Sequence, residues 1–260
     1  MDMINKMKIR RLHEGYLDIV DDDIAVEYPF TIFLNGEEFV TLLCSPQALD
    51  YLTVGFLLSE GLIRQKDDIV SLTLHEDKGR MEVVIKNDDG LARKLLGTRT
   101  VTTGCGKGTA FYNVLDSFQS RKITADAEFQ VFDLIKRLKE FNRKSQVFLK
   151  TGGVHSAGLS DGKELVIFHE DVGRHNAIDK VIGEAEIKGI SLVDKIVITS
   201  GRISSEMLIK IGKRGIPVIL SRSAPTDLAV KIAKEIGVTI IGFARGERMN
   251  IYTESRRIQI

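Results

Sequence analysis

Apolar and polar residues alternate in the early part of the chain in a way that predicts antiparallel strands. Two such segments, at 28–34 and 38–44, flank Asn35 and Gly36. An Asn-Gly pair accepts the positive φ angles that a tight hairpin turn requires. The chain is therefore predicted to enter its first sheet through a β-hairpin.

A helical spacing of apolar residues follows this hairpin. Ser45 is predicted to cap the helix, Pro46 to begin it and Gly61 to end it. Two further strands are predicted at 69–75 and 80–86. Together with the hairpin, these elements predict a small α+β unit.

The second half of the chain has a different rhythm. An amphipathic helix is predicted from about 126 to 144. Beyond it, short apolar segments alternate with helical stretches, which predicts an α/β fold whose largely parallel sheet has helices on both faces. The predicted strands lie at 164–168, 195–199, 217–220 and 238–243. The change of rhythm predicts an N-terminal lobe over 1–100 and an α/β domain over 101–260.

Composition and charge narrow the class of protein. With 260 residues, of which 43% are hydrophobic, the chain can bury a full core. The net charge of +1, with acids and bases interspersed, argues against a protein that binds nucleic acid or a membrane surface. The N-terminal stretch lacks the apolar core of a signal peptide, and no apolar run approaches the length of a membrane span. A cytoplasmic location is expected.

Polar loops follow three of the predicted strands, and each contains an arginine, Arg174, Arg202 or Arg222. One such loop alone is typical of a capped helix with a solvated charge. In a parallel sheet, however, loops beyond the carboxyl ends of the strands share one edge, where helix N-termini favour anions. The three loops together predict a site for an anionic ligand with several charges. His155 and His175 are expected to line it as hydrogen-bonding or proton-transferring groups, since no metal-binding motif accompanies them.

A charged segment at 243–248 adds a second candidate for ligand binding. Two arginines around a glycine suit a pyrophosphate, and the carboxylate of Glu247 is complementary to the donor edge of guanine. The alternative, a charged turn before a last strand at 250–253, stays open. The residues concerned are Phe243, Ala244, Arg245, Gly246, Glu247 and Arg248.

The two cysteines have different surroundings. They are far apart in sequence and lack metal-type spacing, so neither a disulfide framework nor a structural zinc site is indicated. Cys105 lies between glycines and close to Lys107, a setting that favours a reactive thiolate, although glycine-rich loops also serve as simple turns. The spacing does not match a phosphate-binding P-loop. Cys44, at the end of a predicted strand, is expected to be a small buried side chain.

Several motifs, taken in order, resemble the FdhD family of formate dehydrogenase accessory sulfurtransferases. The resemblance covers nearly the whole chain and is far more specific than any single loop. The matching segments are CSPQALDYLTVGFLLSEGLI, TTGCGKGT, FLKTGGVHSAGL, EDVGRHNAIDKVIG, ITSGRISSEMLIKI, SRSAPTDLA and GFARGERMNIYT.

The resemblance implies a cytidine-deaminase-like α/β domain and a sulfur-transfer function. By position, Cys105 would carry a persulfide, and residues 243–248 would bind the cofactor. A cysteine desulfurase would donate sulfur, and the acceptor would be the bis-molybdopterin guanine dinucleotide molybdenum cofactor needed by formate dehydrogenase. One departure is evident: the family commonly has Cys-Gly-x-Cys, whereas this chain has Gly108 at the second cysteine position. One thiolate still suffices to accept and donate sulfane sulfur.

Two other functions compete with this interpretation. A zinc-dependent deaminase requires a PCxxC segment, and this chain has no CxxC. A non-catalytic chaperone that only holds the molybdenum cofactor remains an alternative, because the second motif cysteine is missing. A homodimer is expected, since a symmetric cofactor suits a two-fold assembly.

Overall fold

The computed structural model describes residues 1–86 and 122–260, which form a mixed α/β fold with several sheets. The first element is an antiparallel ribbon of two strands, β1 (Ile4–His13) and β2 (Tyr16–Ala25). The sequence pattern does not predict this ribbon. Most of its residues are exposed, so neither strand shows the one-sided apolar pattern of a strand packed on a core.

A four-stranded sheet and one helix make up the small α+β unit predicted near the beginning of the chain. Asn35 and Gly36 adopt φ angles of 51° and 86°, which confirms the predicted hairpin turn. The sheet has the order β4-β3-β6-β5, with β3 and β6 parallel. Its elements are β3 (Tyr28–Leu34), β4 (Glu37–Cys44), α1 (Leu49–Glu60), β5 (Ile69–His75) and β6 (Arg80–Ile85).

The predicted start of α1 is wrong. The helix begins at Leu49 after Ala48, whose left-handed φ of 54° provides no side-chain cap. Ser45 is fully buried, and its backbone N–H donates to Asp171 rather than its side chain capping the helix. A serine before a proline satisfies the local capping rule, but here a tertiary partner takes its hydrogen-bonding groups.

The second part of the chain forms a six-stranded sheet with the order β13-β12-β11-β10-β8-β9. Strands β10, β11 and β12 are parallel neighbours, as predicted. Strand β8 was not predicted; it lies antiparallel between β9 and β10, so β9 points in the same direction as the parallel strands. The six strands are β8 (His155–Ser160), β9 (Leu165–Asp171), β10 (Ile196–Thr199), β11 (Val218–Ser221), β12 (Thr239–Arg245) and β13 (Arg248–Ile251).

Helices cover both faces of this sheet, as the alternating pattern predicts. Val197 belongs to the apolar cluster on one face, whereas its neighbours Ile196 and Ile198 belong to the cluster on the other. None of the helices in the described ranges has the length and apolar character needed to cross a membrane. The helices are α2 (Val131–Lys144), α3 (Gln146–Thr151), α4 (Arg174–Lys188), α5 (Ser205–Lys213) and α6 (Asp227–Ile236); short strands β7 (Phe129–Gln130) and β14 (Ile258–Gln259) pair in parallel.

Helices α1 and α4 pack at backbone contact distance. A Cβ atom added to Gly55 of α1 would lie 1.8 Å from the carbonyl oxygen of Asp179. A Cβ atom on Gly183 of α4 would lie 1.9 Å from the carbonyl oxygen of Tyr51. One apolar cluster therefore runs from the four-stranded sheet through both helices to the six-stranded sheet.

Candidate functional site

The candidate site lies at one edge of the six-stranded sheet. Strands β9, β10, β11 and β12 all end there, and antiparallel β8 begins there, because His155 pairs with Asp171. This topology confirms that the three arginine loops share an edge. We call it the polar edge and define it by His155, Arg174, His175, Arg202, Arg222 and residues 243–248.

Hydrogen bonds to backbone carbonyl oxygens join loops of the polar edge to one another. Ile203 N donates to Ala224 O at 3.1 Å, which ties the loop after β10 to the loop after β11. Ser221 Oγ donates to Gly201 O at 2.6 Å. Phe243 N donates to Ser223 O at 3.0 Å and adds the end of β12. The loops after β10 and β11 and the end of β12 therefore form one connected surface.

Three helices point their N-termini at the polar edge. The side chain of Ser204 accepts a hydrogen bond from Met207 N and caps α5, and Thr226 caps α6 in the same way. Helix α4 begins with Arg174 directly after Gly173. Because helix N-termini carry partial positive charge and free N–H groups, they favour an anion at this edge.

The arginines of the polar edge are held to different degrees. Arg174 and Arg222 are half-buried, whereas Arg202 is exposed. A Cβ atom on Gly201 would lie 3.0 Å from Cβ and 3.2 Å from Cδ of Arg174. Any larger residue at position 201 would therefore push the Arg174 side chain from its present place.

Two histidines lie beside Arg174. His155 Nδ1 is 3.4 Å from Ser200 Oγ, and His175 Nε2 is 3.4 Å from Ser204 Oγ. Burial lowers the pKa of both, and the positive charge of Arg174 lowers both further; Asp171 opposes the shift at His155. The pKa of His175 falls to about 3, with Lys210 contributing more than Arg174. His175 is thus a neutral hydrogen-bonding group at pH 7.

The pKa of His175 makes a testable prediction about stability. An unfolded histidine binds a proton as the pH falls below 6.5, whereas folded His175 resists protonation until about 3. The contribution of neutral His175 to the free energy of unfolding is therefore complete above pH 6.5. It is lost as the pH falls toward 3, by up to ~1.4 kcal/mol per pH unit. We expect His175→Asn to show a shallower loss of unfolding free energy over this interval in urea titrations. Equal slopes for the wild type and the variant would contradict the assignment.

The segment at 243–248 forms the tight turn between β12 and β13. Phe243 has a left-handed φ of 51° at a register irregularity, and the residue is 40% exposed. Gly246 has a φ of 60°, and Arg245 pairs with Arg248 across the turn. Ala244 is buried, whereas Arg245, Gly246, Glu247 and Arg248 are exposed. The segment is therefore a charged turn before the last strand of the sheet, which was one of the two interpretations of its sequence. The turn also lies on the polar edge.

The two cysteines differ in what the structure reveals of them. Cys105 and Lys107 lie outside the described residues. Cys44 is fully buried, as predicted. Burial, reinforced by the nearby Asp171 carboxylate, raises the pKa of Cys44 to about 12, so its thiolate is scarcely populated at pH 7. Across the described ranges, no three His, Cys, Asp or Glu side chains are grouped as a metal site would require.

A sequence comparison identifies the family. The model of the FdhD/NarQ family matches residues 25–259, which is nearly the whole chain. The chain belongs to the FdhD/NarQ family.

Relatives and one solved structure agree with this assignment. "Sulfur carrier protein FdhD" of Listeria monocytogenes serotype 4b is 41% identical over 260 residues, covering 99% of this chain and 100% of the relative. The protein of the same name from Bacillus subtilis is 39% identical over 96% of this chain and 95% of its own. A crystal structure from Desulfotalea psychrophila, described provisionally as a formate dehydrogenase accessory protein, superposes with a TM-score of 0.82. It is 28% identical and covers 99% of this chain and all of its own.

Some residues that shape the site of this FdhD/NarQ protein were not singled out from the sequence. Ser200 binds both His155 and the backbone N–H of Ser156, and Gly201 makes room for Arg174. Both lie in the predicted loop after β10, so their place at the polar edge could be predicted from the sequence, whereas their contacts could not. Asp171 gave less signal, because an acidic residue at a strand end usually faces solvent.

Proposed function

We propose that this chain is a sulfurtransferase that carries sulfur on Cys105 and delivers it to a molybdenum cofactor. The observation that carries the proposal is the polar edge, where arginine loops and three helix N-termini lie together in a chain whose relatives are named sulfur carrier proteins. The substrate would be the bis-molybdopterin guanine dinucleotide molybdenum cofactor, whose phosphates need several cationic and N–H donors.

The chemistry proposed for Cys105 is a transfer of sulfane sulfur. The Cys105 thiolate attacks the terminal sulfur of a persulfide on a cysteine desulfurase. The donor's S–S bond breaks, its thiol departs, and Cys105 gains the new S–S bond. The terminal sulfur then passes to the molybdenum of the substrate: the S–S bond breaks and the Cys105 thiolate leaves. The two electrons that convert sulfane sulfur to a sulfido ligand come from the reduced molybdenum of the substrate, which is oxidised by two units. Lys107 would stabilise this thiolate.

The polar edge supplies what the substrate would need. Arg174, Arg202 and Arg222 would neutralise phosphate charge, and Glu247 would accept hydrogen bonds from the guanine ring. The neutral imidazoles of His155 and His175 would donate or accept a hydrogen bond without adding charge. Phe243, held exposed by a strained backbone, would contact the cofactor, since strain of this kind is concentrated at functional sites.

Formate dehydrogenase would receive the sulfurated cofactor, the protein would act in the cytoplasm, and it would form a homodimer. We also propose a cytidine-deaminase-like layering of the α/β domain and a division of the chain into 1–100 and 101–260.

Removal of one arginine from the polar edge is expected to weaken nucleotide binding. We expect Arg222→Ala and Arg245→Ala each to raise the Kd for guanosine diphosphate ~10–100-fold, since a charge-assisted hydrogen bond contributes ~1.5–3 kcal/mol. Isothermal titration calorimetry measures the change. Arg256→Ala is the matched control, because this exposed arginine contacts Glu254, whose carbonyl oxygen binds Thr239 at the opposite end of β12. Unchanged binding in both edge variants, or an equal loss in the control, would contradict the proposed site.

A further inference from the structure

A buried charged network lies directly beneath the polar edge. Asp171, at the end of β9, is fully buried and accepts four hydrogen bonds. Its Oδ1 accepts from Gly173 N at 2.8 Å and from Asn176 Nδ2 at 3.0 Å. Its Oδ2 accepts from Ser45 N at 3.0 Å and from Lys180 Nζ at 2.7 Å. The carboxylate thus has its lone pairs satisfied and its charge compensated, as a buried acid requires.

The network joins two distant parts of the chain. Lys180, only 1% exposed, also donates to the carbonyl oxygen of Ser45 at 3.1 Å. Val172 N donates to Ser45 Oγ at 3.1 Å, and Asn176 Nδ2 donates to Leu43 O at 2.8 Å. The end of β4, in the four-stranded sheet, is therefore bonded to the turn between β9 and α4.

This turn sets the position of two residues of the polar edge. Arg174 and His175 are the first two residues of α4, directly after Gly173. A Cβ atom on Gly173 would lie 2.8 Å from Asn176 Nδ2, so the turn closes tightly around the Asp171 carboxylate. Movement of the carboxylate would shift the backbone from which both side chains extend.

Asp171 also contributes charge to the polar edge. It pairs with His155 across β8 and β9, and its negative charge favours protonated His155. The charged and titratable groups acting on His155 are Arg174 and Asp171, and His155 in turn disfavours protonation of His175. Removal of the Asp171 charge should therefore make His155 harder to protonate.

We propose that Asp171 is a positioning residue of the anion site, that Ser45 and Lys180 hold it in place, and that Leu43 holds its partner Asn176. Through this network the end of β4 supports the N-terminus of α4 that faces the ligand. The inference rests on the proposed function for the identity of the ligand, but not for the contacts.

The test compares two hydrogen-bonded acids that support opposite ends of α4, the fully buried Asp171 and the half-buried Glu186. Asp171→Asn is expected to weaken guanosine diphosphate binding about tenfold or more, because misplaced donors lose most of their worth. The control is Glu186→Gln, which lies twelve residues along α4 from Arg174, or ~18 Å from the N-terminus of the helix. Glu186 binds Arg214 at 2.6 Å and Lys66 N at 2.8 Å, so it too ties α4 to the early part of the chain. Its variant should bind as the wild type does.

A second readout needs no ligand. In NMR titrations of the imidazole signals, the pKa of His155 should fall further in Asp171→Asn and stay unchanged in Glu186→Gln. Ser45→Ala, which removes the bond to Val172 N but no charge, should weaken nucleotide binding while leaving that pKa in place. Unaltered binding in both Asp171→Asn and Ser45→Ala would overturn the positioning role. If the wild type fails to bind the nucleotide, the proposed function fails and the positioning role falls with it, whereas the His155 titration still tests whether the charge of Asp171 acts on the polar edge.

Discussion

Sulfur loading is expected to be lost completely when Cys105 is replaced by alanine. Persulfide formation needs a thiolate, and the other cysteine, Cys44, is fully buried with a pKa of about 12. The purified protein is incubated with a cysteine desulfurase and cysteine, and its intact mass is measured. We expect the wild type to gain one sulfur, about 32 Da, and Cys105→Ala to gain none.

The variant Cys44→Ala is the matched control for this experiment. It removes the same chemical group from a site that an external persulfide cannot reach, so the mass gain should persist. A persistent gain in Cys105→Ala would disprove the assignment of the sulfur-carrying residue. The absence of any gain in the wild type, with the desulfurase active on another acceptor, would favour the chaperone that only holds the cofactor.

The elements with strong local signals could be predicted from the sequence. An Asn-Gly pair accepts the positive φ angles of a tight hairpin turn, which most other residues avoid. The turn at Asn35 and Gly36 formed as expected. The parallel strands β10, β11 and β12 are apolar segments between helices, which is typical of a buried sheet. Their shared edge followed from the topology, so the arginine loops could be grouped before any contact was known.

Other elements depend on contacts that the local sequence does not encode. Strand β8, HSAGLS, is rich in small and polar residues and is held by its two neighbours rather than by its own propensity. The ribbon of β1 and β2 has no core-facing side to create a pattern. Ser45 satisfies the rules for a helix cap, yet its groups bind Asp171, Val172 and Lys180 from the other half of the chain.

The residues of the candidate site also fall into those that could be predicted from the sequence and those that could not. Exposed or half-buried groups such as Arg202 and Arg222 could be chosen because charged residues in loops at strand ends favour anions. The groups that fix their geometry could not be chosen. Gly201 matters only because the Arg174 side chain lies 3.0 Å from where its Cβ would be, and Asp171 matters only because its four donors converge.

Substitution of Gly183 by alanine is expected to destabilise the protein by ~3 kcal/mol or more. The added Cβ would lie 1.9 Å from the carbonyl oxygen of Tyr51, which is backbone and cannot swing aside as a side chain would. Helices α1 and α4 would have to separate, with loss of packing in the apolar cluster that both share. Overpacking of a core typically costs ~1–3 kcal/mol, and a clash with backbone lies at or above the upper end. The midpoint of urea unfolding measures the loss.

The control is Lys188→Ala, at the exposed end of the same helix, which should change stability by no more than ~0.5 kcal/mol. If Gly183→Ala is as stable as this control, the two helices do not approach each other as closely as described.

The number of unfolding transitions is also informative, because α1 belongs to the proposed N-terminal lobe and α4 to the proposed α/β domain. A core shared across that boundary should give one cooperative unfolding transition in the wild type. If Gly183→Ala instead unfolds in two transitions, the two lobes can fold independently of each other. The support that β4 gives to the polar edge would then depend on the docking of the lobes.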